Sequence, residues 1–277
     1  MALGRTISPR RTLCVSTLVV RNAVVPIHYL RSFTSVERTE RANLRLGRAL
    51  AWVAGAINAG GFLAVGQYTS HMSGIVSSLA DSTALGESGI ALSAISSILA
   101  FASGAATSAI LINWGRRRCA RSVYALPLLL EAALLLCFAA LGANLGIHRV
   151  LFVPLTVAVL CYVMGVQNAM ITKISRAEIR TTHVTGIVTD LGIELGKALY
   201  WNWGVPASAS HHVAADMQRI RVLGSLLGMF LLGGTLGAVA FRHFGFAAGV
   251  PLSMLLVILA SVPVTDDLRR LPLRDLF

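Results

Sequence analysis

Charge is scarce in this chain: Asp, Glu, Lys and Arg together make up 13% of the 277 residues, and only 12 are acidic. A soluble domain of ordinary composition carries roughly twice that charged fraction. Cysteine is almost absent as well. Cys14, Cys119, Cys137 and Cys161 stand alone, with no C-x-x-C pair, so neither a disulfide framework nor a zinc site is supported. No Gly-Lys-Ser/Thr follows a glycine-rich stretch, which excludes a phosphate-cradling loop. The G-x-S-x-G and H-E-x-x-H signatures of hydrolases are missing too, so an enzyme reading has no motif behind it and no cofactor or metal is expected. Residues 1–36 contain no acid at all.

What fills the chain is apolar. Hydrophobic residues make up 55% and the mean hydropathy is +0.71, which selects the membrane class. The net charge of +12 sits in clusters between apolar stretches rather than over one face, so it reports topology, not nucleic-acid binding. Residues 1–36 carry Arg5, Arg10, Arg11, Arg21 and Arg31 among many Ser and Thr. That bias fits an organelle transit peptide, a disordered cytosolic extension or non-native sequence from an upstream start. We divide the chain into a basic extension (1–44), one membrane domain (45–265, with halves 46–143 and 150–263) and a short tail (266–277).

Six segments have the roughly 20 mostly apolar residues that a span requires, near 46–68, 89–113, 123–143, 150–172, 221–241 and 245–263. Two further helical segments, near 70–84 and 183–199, are short or polar and read as re-entrant or interfacial. Basic residues cluster in the connections that a six-span count places inside, notably Arg45, Arg48, Arg116–Arg118, Lys173 and Arg219, while 69–88 holds two acids and no base. Cytoplasmic loops carry the Lys/Arg excess. Six crossings with both termini inside therefore fit, in a bacterial inner membrane, or an organelle membrane if 1–36 is a transit peptide.

An internal repeat organises these spans. Gly55-Ala-Ile-Asn58, followed by Ser70-His71-Met-Ser-Gly74-Ile-Val76, returns as Gly165-Val-Gln-Asn168, followed by Thr182-His183-Val-Thr-Gly186-Ile-Val188. With six crossings the two copies run in opposite senses, a 3+3 inverted repeat. In secondary transporters that plan places a substrate site at the repeat interface, on interrupted helices. The expected fold is thus all-α and integral to the membrane.

The candidate site follows from the repeat. Ser70 and Thr182 sit at N-cap positions, each before a His and a Gly. Helix N-termini there would present N–H groups to an anion, with Gly74 and Gly186 permitting close approach and His71 and His183 donating or titrating. Equally, the same residues could only terminate hairpins. Asn58, Gln167 and Asn168 lie in spans, where amides either glue helices together or line a polar path. Glu131, an intramembrane acid, is a candidate proton or ion relay unless it pairs with Arg117 or Arg121. Asp190 and Glu194 share a helical face and could couple to an ion, or be neutralised by Lys197, Lys173 or Arg180. Small residues at Gly224-x-x-x-Gly228, Gly233-x-x-x-Gly237 and Gly104-x-x-x-Ser108 allow close helix packing, within the chain or in a homodimer.

On the blocks Gly55–Asn58, Ser70–Gly74, Met164–Asn168 and Arg180–Gly196, the sequence resembles the YoaK-like family of integral membrane proteins of unknown function (domain of unknown function 1275), over roughly 46–265. Two departures stand out: residues 1–44 exceed what that fold needs, and Ser73 and Ser77-Ser78 replace the Thr and Asn-x-Val expected after the first His. The resemblance implies a multi-span membrane fold and no particular activity. The functional expectation is a secondary transporter for a small, anionic solute. The alternative is a non-transporting scaffold or sensor in which the same residues lock the bundle.

Overall fold

A computed structural model describes residues 40–118, 123–143, 149–174, 184–202, 206 and 212–268. Eight α-helices order the described residues, and none of those residues is in a strand: α1 (Glu40–Val65), α2 (Met72–Leu85), α3 (Ser88–Arg117), α4 (Ala125–Ala143), α5 (Arg149–Ile174), α6 (Val184–Leu199), α7 (Met217–Phe244) and α8 (Gly249–Leu268). A 3₁₀ turn, Gly245–Ala248, joins α7 to α8. Among the described residues, four helical stretches are long and apolar enough to cross a membrane: Ser88–Arg117, Ala125–Gly142, Val153–Lys173 and Met217–Ser261. The last contains two helices, α7 and most of α8, divided at the 3₁₀ turn.

Local chemistry sets the ends. The Asp216 carboxylate accepts from the Gln218 and Arg219 N–H groups at 2.9 and 3.0 Å, capping α7. Gly86 adopts a left-handed conformation (φ 75°) and closes α2, its N–H bonding back to the last-turn carbonyls. The helices themselves are apolar on most sides. Leu92, Leu99 and Ile110 of α3 and Leu231 of α7 stand more than 60% exposed. Water would not tolerate apolar faces of this extent, and hydrocarbon does.

Contact pairs along the helices fix their directions. Gly55 lies against Phe230 and Gly234, Ala56 against Gly237, and Gly60 against Phe241, so α1 and α7 run parallel. Gly104 meets Tyr162, Gly165 meets Phe101 and Ala105, and the Lys173 ammonium donates to Asn113, so α3 and α5 run parallel. By contrast, Gln167 meets Leu50 and Gly61 meets Leu160, which makes α1 and α5 antiparallel. The Ser253 hydroxyl donates to the Ala132 carbonyl, and Gly249 sits on Leu135 and Ala139, making α4 and α8 antiparallel.

Both parallel crossings are made backbone to backbone. A Cβ on Gly55 would run into the Phe230 carbonyl, and one on Gly233 into the Trp52 carbonyl. Likewise a Cβ on Gly165 would strike the Phe101 carbonyl, and one on Gly104 the Tyr162 carbonyl. Trp52 precedes Gly55 by three residues, as Tyr162 precedes Gly165. Phe230 precedes Gly233 by the same interval, as Phe101 precedes Gly104. Position by position, 51–60 and 161–170 also share one pattern of buried and half-buried residues. Of the glycine pairs, Gly233-x-x-x-Gly237 and Gly104-x-x-x-Ser108 pack as the sequence predicts. A Cβ on Gly224 or Gly228 would meet nothing within 4 Å among the described residues, and both glycines are exposed.

Candidate functional site

Asn58 lies ten residues past Arg48, about 15 Å along α1. α1 ends at Val65, and the chain then folds back along it. The position of a Cβ on Gly61 lies 3.5 Å from the Thr69 hydroxyl and 3.6 Å from the Gln67 carbonyl. The Ser70 hydroxyl donates to Asn58 Oδ1 at 2.9 Å, and the Ser70 N–H points to the same oxygen at 3.5 Å. Stacking of Phe62 on Tyr68, with ring centroids 4.6 Å apart, fastens the outer part of the loop. The polar segment 66–71 is therefore carried inward to the depth of Asn58, and α2 starts from there.

This geometry alters one expectation. Ser70 is not the N-cap: α2 begins at Met72, His71 occupies the cap position without a side-chain capping bond, and the Ser70 hydroxyl is spent on Asn58. His71 is exposed, and its imidazole lies over Gly74, where a Cβ would collide with the ring. Thr69, which the sequence reading passed over, is fully buried, and no hydrogen-bond partner for its hydroxyl is found among the described residues. A signal was available, since Thr69 and Thr181 both stand two residues before the His of their repeat.

The second copy is described only in part. Thr182 and His183 lie outside the described residues. Gly186 is exposed on α6, and a Cβ there would meet nothing within 4 Å among the described residues. Gln167 is fully buried, and its amide donates to the Leu50 carbonyl at 3.1 Å, binding α5 to α1. The Asn168 amide donates to the Met164 carbonyl one turn back. Since α1 and α5 are antiparallel with Leu50 beside Gln167, Asn58 and Asn168 are offset by nine residues, roughly 13 Å along the axis. The two Asn residues therefore do not share one first set of contacts.

Asp190 and Glu194 do occupy one face of α6, but each is already engaged. Asp190 accepts from Arg219 at 2.9 Å. Glu194 accepts from the Asp216 backbone N–H at 2.9 Å and from Lys197 at 2.9 Å. Lys173, a candidate neutraliser, instead binds Asn113, and Arg180 lies outside the described residues. Glu194 is buried beneath these immediate neighbours. The Asp216 N–H foremost, then Lys197, hold its carboxyl below the ordinary carboxylate range. A depressed folded-state value gives stabilisation that is present above the unfolded value and lost as pH falls through the folded one. Acidification below the ordinary carboxylate range should thus loosen α6 from α7. The protection of the Asp216 amide against hydrogen exchange, taken relative to its intrinsic rate at each pH, should fall there in the wild type. Glu194→Gln, which retains one acceptor and cannot titrate, should show no such acid transition.

Glu131 is the remaining acid. It is fully buried in α4, and neither carboxyl oxygen has a hydrogen-bond partner among the described residues. Arg117 is exposed and not bonded to it, while Arg121 lies outside the described residues. Two further buried oxygens are without a donor there, Gln167 Oε1 and Ser108 Oγ. Among the described residues no group of three His, Cys, Asp or Glu could hold a metal.

A family profile described as protein of unknown function, DUF1275, matches residues 46–262. The chain belongs to this DUF1275 family. The matched region takes in the Asn58–Ser70 loop, both backbone-to-backbone crossings, Glu131 and all of α6. No curated protein and no solved structure matches the chain. Family membership thus agrees with the helical, membrane-like fold and leaves the activity to be argued from the site.

Proposed function

We propose that this DUF1275 protein is a secondary transporter of a small anionic solute, built as a 3+3 inverted repeat of six crossings. In this reading α1 is a span, and Met217–Ser261 supplies two spans that turn at Gly245. The observation that carries it is the return of segment 66–71 into the bundle, with Ser70 bonded to Asn58 and the N-terminus of α2 starting at that depth. Interrupted helices whose N-termini point inward are how such carriers meet anionic groups. Support for the inversion comes from the antiparallel pairing of α1 with α5 and of α4 with α8, and from the two matched glycine crossings. The protein would sit in a bacterial inner membrane with both termini cytoplasmic and the bilayer as its surroundings. It would act without enzymatic chemistry, cofactor or nucleic acid, and outward glycines such as Gly224 and Gly228 would leave room for a homodimer.

A ligand screen on the purified full-length protein tests this. Thermal unfolding is followed with small carboxylates, inorganic anions, cations and neutral solutes. A solute that binds the native state stabilises by RT ln(1 + [L]/Kd), about 2.7 kcal/mol at 100 times Kd. We expect an anion to give a concentration-dependent shift that Asn58→Leu and His71→Ala abolish. The same anion should move across reconstituted vesicles with the wild type only. A panel of anions without any shift or flux sinks the transporter reading and leaves the scaffold or sensor alternative.

A further inference from the structure

A second feature of the bundle is unused by the loop site. Glu131 projects from the buried face of α4, in line with Leu128, Leu135 and Phe138, all at most 1% exposed. Val123, just before α4, packs on Gly115 near the C-terminal end of α3, and Phe138 meets Phe241 beside Gly60. Glu131 falls between these two levels, close to the depth at which Gln167 reaches Leu50. Among the described residues, no titratable group on the surrounding helices is bonded to it. On α3, Arg116 donates to Tyr124 and Arg117 is exposed. On α5, Tyr162 donates to Thr107, Lys173 donates to Asn113, and Cys161 packs in a separate cluster with Ile75 and Ala94. The 3₁₀ turn and residues 249–261 of α8 contain none, and Cys137 of α4 is exposed.

An ionised carboxylate in such surroundings gives up its hydration and receives no hydrogen bond in return, at a cost of several kcal/mol. A neutral acid at the same place avoids that cost and gains a donor, and donor-less oxygens such as Gln167 Oε1 stand at a similar depth. Intramembrane acids of this kind mark proton pathways. We propose that Glu131 is a proton-binding site at the middle of the bundle, and that this proton exchanges with water as the two halves rearrange. Exchange moves one proton between water and a carboxyl oxygen, and no other bond changes. Only the link to rearrangement rests on the transport reading; proton binding itself does not.

Infrared spectroscopy of the full-length protein in phosphatidylcholine nanodiscs at neutral pH tests it. The wild type should show a carboxylic-acid carbonyl band that shifts when water is replaced by D₂O. Glu131→Gln should lack that band, and Glu194→Gln should keep it. Glu131→Asp keeps an acid and should move the band, which covers the case in which Glu131→Gln misfolds. Carboxylate bands in place of the acid band would overturn the proposal. So would an acid band that never shifts in D₂O, since a sealed proton couples to nothing. No solute is needed, so a failed ligand screen leaves this result standing, and a missing band leaves the ligand screen standing.

Discussion

Gly55→Ala and Gly165→Ala should each lower the unfolding free energy by about 1–3 kcal/mol, and the double variant should lose more than either alone. At both sites the atom that blocks a Cβ is a backbone carbonyl, of Phe230 and of Phe101. A side chain could rotate away, but a carbonyl in a helix cannot, so the parallel helices must separate. Separation then strips the close contacts that hold membrane helices together, because lipid offers no hydrophobic gain to replace them. Gly228→Ala is the matched control. Among the described residues outside its own turn, nothing lies within 4 Å of a Cβ placed there, and alanine is favoured over glycine inside a helix by about 0.5–1 kcal/mol. Unfolding midpoints followed by tryptophan fluorescence read all four proteins, with Trp52 standing at one crossing. A Gly165→Ala protein as stable as Gly228→Ala would contradict the crossing geometry.

Glu131→Leu should act in the opposite direction and raise stability by about 1–3 kcal/mol, the usual cost of leaving a buried polar group unsatisfied. Both carboxyl oxygens lack a donor among the described residues, and the neighbouring positions on that face, Leu128 and Leu135, are apolar. An apolar side chain of similar volume removes the unsatisfied group without opening a cavity. The gain should come with loss of the D₂O-sensitive acid band, and with loss of proton-driven flux where flux is found. A substitution at a buried position that stabilises the fold while removing activity is the signature of a group kept for its chemistry. Marked destabilisation would instead show that Glu131 is held by partners outside the described residues.

Much of this protein was legible before any coordinates. Each of the eight expected helical segments is present, with ends that differ by up to six residues, because apolar stretches of about 20 residues in lipid have few alternatives to a helix. The solvent, the family and the repeated Gly-x-x-Asn and His-x-x-Gly blocks were equally visible, since composition and local pattern encode them. What could not be read was where each polar atom finds its partner. Ser70 looked like a cap and binds Asn58 instead. Gln167 suggested a polar path, yet its amide is spent on Leu50, 117 residues away. Asp190 and Glu194 are taken up by Arg219, Lys197 and the end of α7, and Thr69 went unnoticed. The sequence by itself determined the helices and their solvent, because these depend on residue type and periodicity along one segment. Only the tertiary structure decided which buried groups are satisfied and which, like Glu131, stand without a donor among the described residues. That depends on depth, helix direction and crossing contacts, which bring together residues far apart in the chain.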